Sequence, residues 1–203
     1  MTQAHIGERT PGIGNPAITA GLLLWALVVA GLGISEVYLH LPLPVFGISV
    51  ALLTAGLVLG YLGSPRWRRT ARRLGLRRLT AVHVWRIAAA FAFFAYGAQG
   101  LLPERFVFNA GWGDLLAGVL ALGVVLFWAR SRSAYWVFHI IGLADFFLAV
   151  GTGLLFSILS VPTMETIAVF PMAFIPLFGV VLSAVTHVMA FDILLLGDDR
   201  AVS

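Results

Sequence analysis

Five ionisable side chains interrupt long apolar stretches of this chain: Arg86, His139, Asp145, His187 and Asp192. Histidine and aspartate can relay protons, bind a metal ion or hold a charged substrate, and an arginine beside them can neutralise a carboxylate. Burying an ionisable group in an apolar segment is costly, so each of the five is a candidate for function. The sequence therefore predicts a polar site built from these residues.

The spacing of small residues predicts how two of these groups meet. Small residues recur at helical spacing around Asp145 and again around His187 (Gly142, Ala149 and Gly153; Pro176, Gly179, Ser183 and Ala190). Such stripes allow membrane helices to pack closely. We therefore expect the two helices to pack with Asp145 and His187 at similar depth, and Arg86 to neutralise either Asp145 or Asp192.

Three histidines offer a second chemistry. Two of His83, His139 and His187 could ligate a haem b iron, or the histidines could hold another metal ion, because imidazole is a common ligand of both. The same polar residues could instead form a proton or substrate pathway, or a satisfied hydrogen-bonded network. The residues alone leave these alternatives open.

A short motif, Gly111-Trp112-Gly113-Asp114, matches the Gly-x-Gly-Asp of intramembrane aspartyl proteases and prepilin peptidases. That chemistry needs two carboxylates that share a proton. With Asp114 at the outer end of its helix, its depth would differ from that of Asp145 by on the order of 10–15 Å. We therefore expect Asp114 to cap a helix, and we assign no catalytic residue.

The composition favours lipid as the environment of these helices. Of the 203 residues, 60% are apolar and 11% are charged, and there is no cysteine to form disulfides or thiolate metal sites. Stretches of about 20 apolar residues predict membrane spans. We predict an all-α, polytopic membrane helix bundle, a single domain over 17–196 between tails 1–16 and 197–203. The six predicted spans are 17–39, 43–62, 81–101, 112–129, 135–159 and 171–196.

The distribution of arginine predicts the orientation. Seven arginines lie in the segment 64–80, and Arg130 and Arg132 follow the fourth span. Because basic loops stay in the cytoplasm, we predict that both termini are cytoplasmic. We expect the basic loop 64–80 to contact anionic lipid headgroups and predict no nucleic-acid partner. The small-residue stripes would also suit a homo-oligomer or a partner in a membrane complex.

Several motifs together resemble a set of uncharacterised bacterial integral membrane proteins. They include Arg86, Ala110-Gly111-Trp112-Gly113-Asp114, Gly142-Leu143-Ala144-Asp145, Ile175-Pro176 and His187, and they cover roughly residues 83–190. The resemblance, with its Ala-Gly-x-Gly-Asp signature, implies a small six-helix, multi-pass protein of the bacterial inner membrane. It implies no known activity.

Our leading functional expectation is a small transport-type or ligand-binding membrane protein with its polar site in the cytoplasmic half. A haem-b or metal-binding membrane redox protein is the first alternative. A structural subunit or assembly factor of a larger membrane complex is the second.

Overall fold

The computed structural model describes residues 16–197, and these residues form helices and turns with no strand among them. The predicted tails 1–16 and 197–203 therefore lie almost wholly outside the described residues. The main helices are α1 (Pro16–Ile34), α2 (Leu43–Gly63), α3 (Pro65–Ala81), α4 (Arg86–Ala98), α5 (Glu104–Phe127), α6 (Arg132–Ile158) and α7 (Ile175–Leu195).

The helical fold agrees with the prediction. Five helical segments are long and apolar enough to cross a membrane: α2, α3 with α4 as the continuous segment Pro65–Ala98, α5, α6 and α7. A shorter apolar helix covers Ile18–Ile34. Helices suit an apolar environment because every interior backbone N–H and C=O is paired within its own segment.

One predicted boundary was wrong, and the basic segment 64–80, predicted to lie between two spans, is helical. This segment continues through a tight turn, Val82–Trp85, into α4. The fourth span, predicted to begin at residue 112, begins at Glu104 directly after Pro103. A proline can precede a helix without losing a hydrogen bond, since the first N–H groups of a helix have no intrahelical acceptor.

Helix α3 is amphipathic and kinked. The Ser64 side chain accepts a hydrogen bond from the Trp67 N–H and caps the helix. Gly75 interrupts it with a φ of 74°, and Ala71, Leu76 and Leu79 are buried on its inner side. Six of its seven arginines are exposed, and Arg68 is half-buried.

The connections between the helices gather at two opposite ends. At one end, the turn Val37–His40 contacts the turn Met164–Ala168. At the other, the Tyr61 hydroxyl donates to Asp192, and Arg132 donates to the Leu194 carbonyl oxygen. Helix α3 packs against α7 at this second end.

Proline in α7 widens the helix. Pro176 lies in a π-helical stretch, Ile175–Val180, before regular α-helix resumes at Val181. A proline lacks the N–H that an α-helix needs, and a wider turn accommodates that loss. This widened turn borders a cavity between the helices.

The bundle has an apolar interior and an apolar exterior. One core cluster centres on Phe46, Phe93 and Phe106, and the other on Tyr135 and Phe138. Large apolar side chains also cover the outside, with Leu27, Leu52 and Phe127 at least two-thirds exposed. An exterior of this kind is unfavourable in water and suited to hydrocarbon.

Candidate metal centre and buried ion network

Arg86 forms the centre of a buried ion network. Its Nε donates to Asp114 Oδ1 over 2.6 Å, and Nη2 donates to Asp145 Oδ2. Nη1 approaches the Gly142 carbonyl oxygen at 3.4 Å. The first turn of α4, the interior of α5 and the middle of α6 thus meet at one guanidinium. The network joins two carboxylates to a single cation.

Gly113 makes room for this network. A Cβ atom at that position would overlap the Asp145 carboxylate. The Gly-x-Gly-Asp motif therefore has a packing role: Gly113 admits Asp145, and the next residue, Asp114, binds Arg86. The motif holds two helices close together at a charged contact.

The predicted position of Asp114 at the outer end of a helix was wrong. Helix α5 begins at Glu104, so Asp114 lies about 15 Å further along the helix axis. It therefore reaches the same depth as Asp145. The two carboxylates bond to different nitrogens of Arg86, whereas an aspartyl protease dyad needs carboxylates that share a proton.

Asp192 lies elsewhere. Its Oδ2 accepts a hydrogen bond from the Tyr61 hydroxyl over 2.8 Å. Of the two partners predicted for Arg86, the structure shows Asp145 and not Asp192. The five predicted site residues therefore fall into an ion network, a histidine cluster and this separate tyrosine contact.

Three histidines converge beside the ion network. His83 lies in the turn before α4, His139 in α6 and His187 in α7, and all three are fully buried. One ring nitrogen from each lies within 4.8 Å of the others. His139 Nδ1 and His187 Nδ1 are 2.8 Å apart, and the His83 and His187 ring centroids are 4.1 Å apart. Three helical segments thus bring potential ligands to one point.

Two threonines orient the outer histidines. Thr186 Oγ1 contacts His83 Nε2, and Thr80 Oγ1 contacts His139 Nε2, each over 3.1 Å. The Thr186 hydroxyl has one proton, which it donates to the carbonyl oxygens of Leu182 and Ser183. When the hydroxyl donates to either carbonyl oxygen, the Thr186 oxygen accepts from His83 Nε2–H. In the neutral ring this leaves the lone pair on His83 Nδ1.

Two ring nitrogens in the cluster have no hydrogen-bond partner. They are His83 Nδ1 and His187 Nε2, both buried. Buried polar atoms without a partner are uncommon and often mark a binding role. At His83, the unpartnered Nδ1 and the Nε2 held by the Thr186 oxygen match the usual arrangement of a metal-ligating histidine, whereas the other nitrogen of His187 contacts His139 Nδ1.

Gly142 connects the cluster with the ion network. A Cβ atom there would lie 2.7 Å from His187 Cε1 and 3.7 Å from Arg86 Nη1. Asp145 and His187 come from two helices that pack together, α6 and α7. The two side chains nevertheless have different partners, Arg86 for Asp145 and His139 for His187.

A family model described as a domain of unknown function, DUF8737, matches residues 43–195. The chain belongs to this family. The matched segment contains α2 to α7 and every residue of both clusters, while α1 lies outside it. No curated protein and no solved structure matches the chain.

Several residues of the two clusters were not predicted from the sequence. The orienting threonines carried a weak signal: Thr80 precedes His83 by one helical turn, and Thr186 adjoins His187. Gly142 lies three residues from both His139 and Asp145, on the same face of α6. Gly142 was predicted to lie on a stripe of small residues, but its contact with His187 was not predicted.

Proposed function

We propose that this chain is an integral membrane protein that binds a first-row transition-metal ion through His83, His139 and His187. The observation that carries the proposal is the convergence of three buried imidazoles within 4.8 Å. Imidazole suits zinc, copper, nickel and iron ions. Three histidine ligands also leave a coordination position for a further ligand.

The proposed membrane location rests on the helices and their exterior. Five segments are long and apolar enough to span a bilayer, and their outward residues are large and apolar. With α1 as a sixth span and the arginine-rich α3 on the cytoplasmic side, both termini are cytoplasmic. We place the protein in a bacterial cytoplasmic membrane, a location that follows from the sequence resemblance.

An ion fits this cluster better than haem b does. The two axial histidines of a haem lie on opposite faces of the macrocycle, which separates their rings. Here the three rings contact one another, with centroids 4.1 to 5.7 Å apart, and Phe138 packs against them. A single metal ion needs only small ring rotations to bind, because its ligand nitrogens lie about 2.0–2.1 Å from it.

The test is a Co²⁺ titration of the purified protein, treated with a chelator and reconstituted into lipid nanodiscs. Nitrogen ligation in a tetrahedral site gives Co²⁺ intense visible absorption, which reports the ligand set directly. We expect saturation near one Co²⁺ per chain and displacement by Zn²⁺. The same stoichiometry should appear when metal content is measured by mass spectrometry.

His40 provides the matched control, because it lies exposed in the turn Val37–His40. We expect His83→Ala and His187→Ala to lower the affinity for Co²⁺ at least a hundredfold, and His40→Ala to leave it unchanged. The proposal fails if the wild-type protein gives no Co²⁺ absorption, or if the double variant His83→Ala/His187→Ala keeps it.

We further propose that α3 lies on anionic lipid headgroups. Arg66, Arg69, Arg72, Arg73, Arg77 and Arg78 are exposed on this helix. A basic residue near an anionic bilayer surface contributes about 1 kcal/mol to lipid association. The buried Ala71, Leu76 and Leu79 hold the helix against the bundle while its arginines face outward.

A transport-type or ligand-binding function is the second candidate. The observation that favours it is a cavity bordered by Arg86 and Asp114. The cavity has its own lining, which includes none of the three histidines. A ligand there could bind with or without a metal ion at the histidine cluster.

A further inference from the structure

The ion network and the histidine cluster are neighbours in the bundle. A Cβ atom on Gly142 would lie 2.7 Å from His187 Cε1 and 3.7 Å from Arg86 Nη1, so a single backbone position lies beside both groups. Within α6, His139 and Asp145 are six residues apart, which is about 9 Å along the helix axis. An ion held by the three histidines would therefore lie close to the network.

Arg86 alone would disfavour a metal ion at this position. Its guanidinium keeps its positive charge in proteins, and salt screens the repulsion between buried charges only weakly. The imidazoles do not offset this repulsion, because a histidine that ligates a metal ion is neutral. The negative charge beside Arg86 comes from Asp114 and Asp145, the two carboxylates that bond to it.

These two carboxylates carry more negative charge than Arg86 can neutralise. Asp114 bonds to its Nε and Asp145 to its Nη2, so one positive group faces two negative groups. The side chain of Arg86 is 4% exposed and those of both aspartates are 10% exposed. A surplus charge in an apolar interior is costly unless another charge compensates it. A cation in the adjacent histidine cluster would provide that compensation.

We propose that Asp114 and Asp145 compensate the charge of a divalent metal ion held by the histidine cluster and thereby raise its affinity. This inference rests on the metal site proposed above. The two carboxylates bond to Arg86 and act on the ion through their charge. With both aspartates ionised the network carries one negative charge, and with one of them removed it is neutral. Coulomb attraction grows with the charge of the ion, so a divalent ion is affected most.

The test removes the charge and keeps the shape. Asp114→Asn is nearly isosteric, and we expect it to lower the affinity for Co²⁺ at least tenfold in the nanodisc titration. The visible absorption bands should stay where they are, because the three ligands remain. Glu104→Gln removes the same charge from an exposed position at the start of α5, and it should bind Co²⁺ as the wild type does.

Two results of this comparison would overturn the inference. Wild-type affinity in Asp114→Asn would show that the surplus charge is compensated in another way, for example by a proton that the carboxylate pair retains. Shifted absorption bands would show that the substitution disturbs the ligands themselves, and that the loss of affinity is not a charge effect.

Asp114→Glu distinguishes charge from packing. It keeps the carboxylate and adds one methylene group, for which the cavity of about 80 Å³ bordered by Asp114 has room. If charge determines the affinity, Asp114→Glu should bind Co²⁺ nearly as the wild type does and more tightly than Asp114→Asn. Equally weak binding by both variants would assign Asp114 a packing role and contradict the inference.

Asp145→Asn keeps the test decisive if Asp114→Asn does not fold. It removes the carboxylate bonded to the other nitrogen of Arg86, and the same tenfold loss with unchanged absorption bands is expected. These outcomes differ from those of the metal proposal. A wild-type protein that gives no Co²⁺ absorption would refute the metal site and this inference together. Wild-type affinity in a folded Asp145→Asn protein would refute the role of the carboxylates alone.

Discussion

At the histidine cluster, the available chemistry depends on which ring nitrogen carries a proton. While Thr186 donates its proton to a backbone carbonyl oxygen, its oxygen accepts from His83 Nε2–H. A cluster that served only for packing would not need a buried lone pair without a partner at His83 Nδ1. With this tautomer, the lone pair of His83 lies on Nδ1, where the proposed metal ion would bind.

The first prediction concerns the glycine beside His187. Gly142→Ala places a methyl group 2.7 Å from His187 Cε1, closer than carbon atoms approach without displacement. The His187 ring must shift and lose its position relative to His139. We expect the affinity for Co²⁺ to fall at least tenfold in the nanodisc titration.

Gly151 is the matched control for this substitution. It lies in the same helix, α6, and an added Cβ would meet nothing within 4 Å. Because alanine favours a helix over glycine, Gly151→Ala should keep its affinity for Co²⁺ and be slightly more stable. Equal affinity of Gly142→Ala and the wild type would show that the position of His187 does not matter for the metal.

At the scale of residues, the sequence predicted which polar residues matter more easily than it predicted which residues contact one another. The polar character of Arg86, Asp145 and His187 was evident because each interrupts an apolar segment. The role of Asp114 was missed because it depends on where α5 begins. The helix begins at Glu104, and this start is determined by the residues of the preceding loop. One boundary error moved a carboxylate by about 15 Å and removed it from the predicted site.

At the scale of elements, α3 joins the basic surface to the histidine cluster. Its outer side carries the arginines, and its last turn carries Thr80, which contacts His139. The segment was predicted as a basic connection between two spans, because its abundant charge excludes it from hydrocarbon. Leu76 and Leu79 nevertheless bury it against the bundle.

The second prediction concerns the arginines of α3. The triple substitution Arg69→Gln/Arg72→Gln/Arg73→Gln removes three exposed charges and leaves the buried positions intact. At about 1 kcal/mol for each charge, association with anionic lipid should weaken by roughly two orders of magnitude. Native mass spectrometry of bound phosphatidylglycerol, with phosphatidylcholine as the neutral lipid, measures the effect.

Arg105→Gln serves as the control, because Arg105 is exposed at the start of α5, near the opposite end of the bundle. It should retain phosphatidylglycerol as the wild type does. Equal loss in both variants would indicate a general charge effect and not a lipid surface on α3.

At the scale of the whole molecule, the connections between helices lie at the two ends of the bundle, as the proposed orientation requires. The turns Val37–His40 and Met164–Ala168 meet at one end, and α3 packs on α7 near Arg132 at the other. An up-and-down bundle predicted from arginine counts would place its connections in this way. The all-helical fold and its long apolar helices were predictable because they depend on composition and length, whereas helix neighbours depend on side-chain fit.

The third prediction tests this orientation by labelling with a membrane-impermeant maleimide. Because the chain has no cysteine, single cysteines can be introduced without altering the background. Ser133 and Glu165 are both exposed, near opposite ends of α6 and its following loop. In intact cells we expect Glu165→Cys to be labelled and Ser133→Cys to be labelled only after the membrane is permeabilised. The wild-type chain should remain unlabelled throughout.

Labelling of Ser133→Cys alone in intact cells would invert the topology and place the arginines of α3 outside. Labelling of both would show that one of the predicted spans does not cross the membrane, and with it the proposed six-span arrangement would fail.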